Sequence, residues 1–274
     1  MKRPRPVGVC ALCLRTRELC DSHLVPKALY RVVRAADHRS HPDPVLMTSK
    51  VRRQTSFQAT QYLLCAECEK RFDQNGEDWV MRHCYRGRGR FRLRELLQRT
   101  TPIHADEEDT IFNASTVAGL DIERVVYFCV SVFWRASVRR WESSGQRYEG
   151  IALGPKYQEE IRAYLLGDAG FPQNAAVMLI VSALPRPHLS FNFPDTIRID
   201  SSHGHTLHIP GLTFQLGLGG QPSAGARETC IVRSEFHPIF VSKDGDERVQ
   251  RQVLRMMGKK APAWGKYPLL DGVV

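Results

Sequence analysis

The chain has 274 residues, of which 42% are hydrophobic and 25% charged, and its formal net charge is +10. This composition is typical of a folded protein and excludes a mainly disordered, collagen-like or low-complexity chain. No apolar run approaches the roughly 18 to 20 residues that span a bilayer, and no apolar run of about 7 to 15 residues follows the basic start Met1–Pro6, so we expect a cytoplasmic protein without a membrane partner.

The positive charge is concentrated in the first third of the chain. Residues 1–100 contain 21 Lys and Arg against 10 Asp and Glu, a net of +11. Residues 101–200 contain 9 against 13, a net of −4, and residues 201–274 contain 9 against 6, a net of +3. Because clustered positive charge attracts polyanions, we predict a nucleic-acid partner for the first hundred residues, with a merely solvated surface as the alternative.

Two CxxC pairs stand out among the eight cysteines: Cys10 with Cys13, and Cys65 with Cys68. Thiolates three positions apart on a tight turn can bind one ion, and two such pairs complete the tetrahedral set of ligands that zinc prefers. A disulfide scaffold would be shorter and denser in cysteine. The spacing therefore predicts a structural zinc site, with Cys20 and Cys84 as alternative ligands.

The stretch between the two pairs contains a histidine, His23, and then a predicted helix over Lys27–Ala35. The polar, basic residues 37–60 predict a loop or hairpin. We expect the cations of this insert to contact phosphates: Lys50, Arg52 and Arg53. A short apolar strand over Tyr62–Leu64 leads into the second pair, and a helix is predicted after it.

Two motifs in this region resemble those of a known family. Ser22-His23-Leu24-Val25-Pro26-Lys27, followed by Leu63-Leu64-Cys65-Ala66-Glu67-Cys68, is similar to the HNH (ββα-metal) endonucleases that carry a treble-clef zinc site, and in particular to a bacterial HNH-like subgroup. Trp134-Arg135-Ala136-Ser137 resembles the helix that follows the zinc module in that subgroup. The first likeness covers about residues 8–80 and the second extends it weakly towards residue 165.

The resemblance implies an α+β fold and a nuclease. Residues 1–95 would form the zinc-bound treble-clef or ββα-metal module. The sequence pattern of the remaining chain predicts a connector over 96–120 and, over 121–274, an α+β domain of unassigned role with helices packed on an antiparallel sheet. His23 would be the general base that activates a water for attack on a DNA phosphodiester, and Mg²⁺ or Mn²⁺ would stabilise the developing charge. At the level of the family, this suggests an effector in phage defence or a mobile element, with a possible partner protein.

The sequence departs from the family at the expected metal ligands. Ser22 stands where an acid or histidine usually precedes the base, with Asp21 one residue further away, and Glu69 replaces the last His. Thr60 stands where the family often has Asn. His23 could instead be a structural hydrogen-bonding residue or a zinc ligand.

Acidic residues on the helix after the second pair offer another way to hold a cation. Glu69, Asp73 and Glu77 recur every four residues and would share one helix face. Together with Asp21, that face predicts a site for Mg²⁺ or Mn²⁺. The alternative is a solvated helix face.

Arginine recurs at every second position from Arg86 to Arg94. In a strand this spacing would line one face with guanidinium groups, whereas two glycines allow a mobile loop. We expect a clamp on the phosphate backbone, with a solvated interdomain linker as the alternative. The predicted contacts are Arg86, Arg88, Arg90 and Arg92.

The remaining chain predicts two helices, over residues 121–141 and Pro155–Leu166, the first with Arg135 on its exposed face. Short alternating runs then predict an antiparallel sheet. Its strands are expected at Ala176–Ser182, Leu189–Phe193, Thr196–Asp200, Thr206–Ile209, Leu212–Leu218, Thr229–Arg233 and Ile239–Val241. A basic terminal helix is predicted over Asp246–Lys260.

Two alternatives to a nuclease stay open. The departures at Ser22, Thr60 and Glu69 favour a catalytically inactive zinc module that binds nucleic acid. The other alternative is a protein-interaction module in which the zinc site only holds the scaffold together.

Overall fold

A computed structural model describes residues 5–34, 45–47, 52–54, 58–107, 109–143, 146–199, 202–219, 224–242 and 263–264. The chain has a mixed α+β fold, which confirms the predicted class. Within these ranges, no helix has both the length and the apolar character needed to cross a bilayer.

The N-terminal part is built on a small antiparallel sheet. Its elements are β1 (Val7–Val9), β2 (Thr16–His23), α1 (Lys27–Arg34), β3 (Val45–Met47), β4 (Arg52–Gln54) and β5 (Thr60–Cys65). Strands β1, β2 and β5 pair in that order, and β3 pairs with β4. Three helices follow: α2 (Ala66–Phe72), α3 (Asp78–His83) and α4 (Arg92–Leu97).

The rest of the chain surrounds a seven-stranded sheet. Its elements are β6 (His104–Ala105), β7 (Asp109–Asn113), α5 (Ile122–Val138), β8 (Trp141–Ser143), β9 (Gln146–Tyr148), α6 (Pro155–Leu166), β10 (Ala175–Ser182), β11 (Asp195–Ile199), β12 (Ser202–Ile209), β13 (Leu212–Leu218), α7 (Ala224–Glu228), β14 (Pro238–Ser242) and β15 (Ala263–Trp264). The strand order is β11-β12-β13-β10-β14-β7-β6. The pairing is antiparallel except between β10 and β14, which run parallel. Strand β15 pairs with β4 of the N-terminal part.

Local signals set the ends of the two long helices. The Asp121 carboxylate accepts a hydrogen bond from the backbone N–H of Arg124 and so caps the start of α5. Helix α6 has Pro155 in its first turn and ends at Gly167, which is left-handed. Both predicted helices are confirmed, and α6 has the bounds that the sequence predicts.

Two predicted strands are wrong. Leu189–Phe193 is irregular, because Pro185, Pro187 and Pro194 lie on either side of it and proline cannot donate to a sheet ladder. Thr229–Arg233 is a turn, in which Cys230 accepts backbone hydrogen bonds from residues three and four positions later. The predicted helix Asp246–Lys260 lies outside the described residues.

Helix α5 is buried from Val125 to Ala136 and links the two parts of the chain. On one side its Phe128 ring contacts Phe214 of β13, with ring centroids 5.3 Å apart. On the other side it crosses a continuous helical run made of α2, a π-helical turn (Asp73–Glu77) and α3. At the crossing, a Cβ on Gly76 would lie 2.7 Å from the backbone nitrogen of Phe128, so only glycine fits.

We expect the Gly76→Ala substitution to lower the free energy of unfolding by about 2–3 kcal/mol, because the added methyl group meets backbone that cannot move aside. Urea unfolding followed by circular dichroism measures the change. Gly170→Ala is the control, since a Cβ there meets nothing within 4 Å. Equal stability of the two variants would contradict the close approach of these helices.

Candidate metal centre and nucleic-acid interface

The four cysteines of the CxxC pairs come together at one point: Cys10, Cys13, Cys65 and Cys68. Their sulfur atoms all lie within 4.8 Å of one another, and the Sγ atoms of Cys13 and Cys65 are 3.9 Å apart. Four sulfurs around one zinc at about 2.3 Å would be separated by about 3.8 Å, so this donor set fits a tetrahedral zinc ion. The predicted cysteine cluster is therefore confirmed as a group that could hold a metal ion.

Local backbone structure brings each pair to the site. Cys10 and Cys13 lie in the turn between β1 and β2, where Leu14 adopts a left-handed conformation and donates its backbone N–H to the carbonyl of Cys10 at 2.9 Å. Cys65 is the last residue of β5, and Cys68 lies in the first turn of α2. A hairpin turn and a strand-to-helix junction thus face each other across the site.

Hydrogen bonds around Cys10 favour its thiolate. The Cys68 thiol and the backbone N–H groups of Cys13, Cys65 and Leu12 lower the pKa of Cys10 to about 4, against the opposing effect of burial. The Cys65 N–H donates to the Cys10 sulfur at 3.3 Å. Since the thiolate is the form of cysteine that binds metals, these contacts favour metal binding.

The structure does not bring together the residues of the predicted Mg²⁺ or Mn²⁺ site. Among the described His, Cys, Asp and Glu residues, the four cysteines are the one group of three or more that could hold a metal ion. His23, Asp21, Glu69 and Asp73 therefore do not form such a group. The π-helical turn from Asp73 to Glu77 winds more residues into one turn, so Glu77 does not keep the four-residue spacing of the predicted acidic face.

Glu69 turns inward, whereas Asp21 and Asp73 are exposed. Burial raises the pKa of the Glu69 carboxyl, and a hydrogen bond from Ser22 opposes the shift. Ser22 is itself buried, and its Oγ accepts the backbone N–H of Leu64 at 3.1 Å. Ser22 therefore ties β2 to β5.

Arg135 is the residue that sequence reasoning misplaced. It is 1% exposed rather than on the surface of α5. Its Nη2 donates to Glu77 at 2.5 Å, its Nη1 donates to the backbone carbonyl of His23 at 2.9 Å, and its guanidinium lies 5.3 Å from the centre of the Phe72 ring. The helical spacing of Phe128, Val132 and Arg135 would have placed it on the buried stripe.

His23 is half-buried at the end of β2. Its Nε2 lies 2.7 Å from the amide oxygen of Gln58, so Nε2 carries the proton and Nδ1 is the basic nitrogen. Burial lowers the pKa of His23, and the imidazole is therefore neutral at pH 7. Gln58 was not identified from the sequence, although it lies two residues before Thr60, which pairs with His23.

The alternating arginines form a tight turn rather than a strand. Its ends are joined by a bridge between Tyr85 and Phe91, and the backbone N–H of Arg86 donates to the carbonyl of Arg90 at 2.9 Å. The three residues at its tip, Gly87 to Gly89, are left-handed. We call residues 86–92 the arginine turn.

Four guanidinium groups of the arginine turn are exposed: Arg86, Arg88, Arg90 and Arg92. None of them forms an ion pair with a carboxylate of the described residues. Lys50 lies outside the described residues. Arg52 and Arg53 lie in β4, and the positions of their side chains are not described.

No protein-family model, curated protein or solved structure matches this chain. Its function has to be inferred from the chemistry and geometry of these sites.

We expect the purified protein to contain about one zinc per chain and the Cys68→Ser variant to lose it, because serine is a poor zinc ligand. Metal analysis by mass spectrometry measures the content. Cys20→Ser and Cys84→Ser are matched controls, since both cysteines lie outside the cluster. Zinc retained by Cys68→Ser but lost from a control would show that the ligand set is wrong.

We expect Arg135→Ala to reduce the free energy of unfolding by about 3–5 kcal/mol, because it leaves the Glu77 carboxylate and the His23 carbonyl without their partner. Arg124→Ala, which removes an exposed pair with Asp121, should cost less than about 1 kcal/mol. Chemical unfolding of both variants tests the difference. Similar losses in the two variants would argue against a buried anchor.

Proposed function

We propose that this protein binds the phosphate backbone of nucleic acid through an N-terminal module stabilised by a tetracysteine zinc site. The observation that carries the proposal is the arginine turn, where four exposed guanidinium groups lie within seven residues and have no carboxylate partner among the described residues. Guanidinium groups bind phosphate in a bidentate manner and remain charged at any physiological pH. A set of this kind is suited to a polyanion.

The arginine turn is also held in place, which favours binding. The backbone N–H of Tyr85 donates to the carbonyl of Pro210 at 2.9 Å. The Phe91 ring packs so closely on Gly211 that a Cβ there would lie 2.6 Å from the ring. A site that is already ordered loses less conformational entropy when a ligand binds.

The zinc site fits a structural role in this proposal. Three of its four cysteines are buried, and Cys13 is half-buried. It joins the hairpin of β1 and β2 to the junction of β5 and α2, and so fixes a small sheet with few apolar residues of its own. A bound ion of this kind contributes directly to folding.

A second candidate function is hydrolysis of the bound phosphodiester with His23 as general base. It is favoured by a neutral His23 whose Nε2 is held by Gln58, and by the sequence motif from Ser22 to Lys27, which resembles that of the HNH endonucleases. In that reaction, Nδ1 would take a proton from water as the new O–P bond forms and the bond to the leaving oxygen breaks. Because the described carboxylates do not form a site for Mg²⁺ or Mn²⁺ beside His23, the geometry supports binding better than cleavage.

We expect binding to a 20-base-pair duplex to weaken steeply as the salt concentration rises. The double variant Arg88→Ala/Arg90→Ala should reduce the slope of log K against the logarithm of the salt concentration by about 2, because each lost phosphate contact contributes about 0.9 to that slope. Fluorescence anisotropy over a salt series measures the slope. The double variant Arg140→Ala/Lys156→Ala is the control, because these exposed cations lie on other elements. The same slope in both variants would argue against the arginine turn as the contact.

Plasmid nicking in Mg²⁺ or Mn²⁺ separates the two candidate functions. If His23 is a general base, His23→Ala should lower cleavage at least about a hundredfold, whereas the exposed histidine variant His104→Ala should not. If the wild type binds in a salt-dependent manner but does not cleave, the hydrolysis function is contradicted and only the binding function is retained. Absence of both would contradict both candidates.

A further inference from the structure

The irregular segment between β10 and β11 connects the arginine turn to His23. We call residues 185–194 the strap. At its start, Pro185 and Arg186 line a cavity of about 170 Å³ together with Gly89 and Phe91 of the arginine turn. Further along, the side chain of Leu189 lies 3.5 Å from the point that a Cβ on Gly87 would occupy.

Further along the strap, Phe191 contacts Tyr30, which lies beside His23. The ring of Phe191 packs edge-on against Tyr30, with centroids 5.2 Å apart, and Tyr30 lies 6.1 Å from the imidazole of His23. At about 3.3 Å per residue, the distance along the strap from Leu189 to Phe193 is at most about 13–14 Å. The strap therefore contacts the arginine turn through Leu189 and, through Phe191, the Tyr30 ring that lies beside His23.

Hydrogen bonds fix the strap on the sheet. The backbone N–H of Asn192 donates to the carbonyl of His208 in β12 at 3.1 Å, and the Asn192 side chain accepts the His208 N–H in return. The Tyr148 hydroxyl donates to the carbonyl of Pro194. The aromatic residues of the strap are thus presented by a fixed backbone.

Aromatic rings form an unbroken series along this path: His23, Tyr30, Phe191, Phe193 and Tyr148. The ring centroids of Phe191 and Phe193 are 6.0 Å apart, and those of Phe193 and Tyr148 are 5.2 Å apart. Tyr30 is buried, but Phe191, Phe193 and Tyr148 are half-buried and keep part of each ring accessible. All three residues pack against the apolar core and still leave part of their surface open to a ligand.

We infer that the strap is a stacking platform for the unpaired bases of single-stranded nucleic acid, whose phosphates are held by the arginine turn. The inference rests on the proposed function and specifies its ligand. Aromatic rings beside a positively charged groove are the general means by which proteins hold single strands without reading their sequence. The strap itself contains no Asp or Glu and adds the exposed cation Arg186, which suits a polyanion better than a protein or lipid partner.

The test compares a single-stranded dT oligonucleotide of 20 residues with a 20-base-pair duplex. We expect Phe191→Leu and Phe193→Leu each to weaken single-strand binding at least about fivefold, because leucine fills space but offers no ring face for stacking. Duplex binding should change less than about twofold. Phe236→Leu is the matched control, since Phe236 is 58% exposed and lies outside the strap.

Quenching of 2-aminopurine placed within the oligonucleotide reports base stacking directly in the wild type, so the test does not depend on how the variants fold. We expect the 2-aminopurine fluorescence to be quenched when the wild type binds. The quenching should be weaker with Phe193→Leu, while the melting temperature of this variant stays that of the wild type. Absence of quenching by the wild type, or equal losses in Phe193→Leu and Phe236→Leu, would overturn the inference. Tight duplex binding without single-strand binding would overturn the inference but leave the proposed function, whereas failure to bind either oligonucleotide would contradict both.

Discussion

The hydrogen bonds of the buried Arg135 guanidinium fix the end of β2, where His23 lies, relative to the central helix α5. A charge that is 1% exposed has to be neutralised and hydrogen-bonded. Arg135 belongs to α5 and finds its partners on two other elements. It pairs with Glu77 of the helical run and donates to the carbonyl of His23 at the end of β2. Trp141 of β8 in turn donates its indole N–H to the Arg135 carbonyl. The end of β2 is thereby fixed to the central helix rather than only to its own small sheet.

The cysteine cluster and the close approach at Gly76 complete this arrangement. The cluster joins the β1–β2 hairpin to β5 and α2, and Gly76 brings the same helical run against α5. Because α5 also packs on the seven-stranded sheet, the apolar core is continuous from Cys10 to Ile239. The second half of the chain therefore supports the sites of the first half, through Pro210 and Gly211 under the arginine turn and Phe191 beside Tyr30.

Sequence reasoning succeeded where the deciding signal is local. The CxxC spacing locates all four sulfurs, and Pro155 and Gly167 mark the ends of α6, because these features act within a few residues. The sequence-based predictions were wrong where packing between distant parts of the chain determines the local structure or the burial of a residue. Nothing within the helix after Cys68 reveals the π-helical turn between Asp73 and Glu77. The predicted exposure of Arg135 left out its partners Glu77 and His23, which lie 58 and 112 residues away in sequence. Leu189–Phe193 has the alternation of a strand, but its flanking prolines prevent a ladder and leave its rings at the surface.

The same contacts are the reason why we propose recognition of nucleic acid rather than its cleavage. Two of the acidic residues that the sequence assigns to a catalytic cation have other surroundings: Glu77 pairs with Arg135, and partial burial raises the pKa of the Glu69 carboxyl. A cation would need these carboxylates ionised and directed at one point beside His23. Asp21 and Asp73 remain exposed, and the four exposed guanidinium groups of the arginine turn have no carboxylate partner among the described residues. On the proposed function, the exposed guanidinium groups of the arginine turn would hold the phosphates of a nucleic-acid strand, and the half-buried rings of the strap would contact its bases.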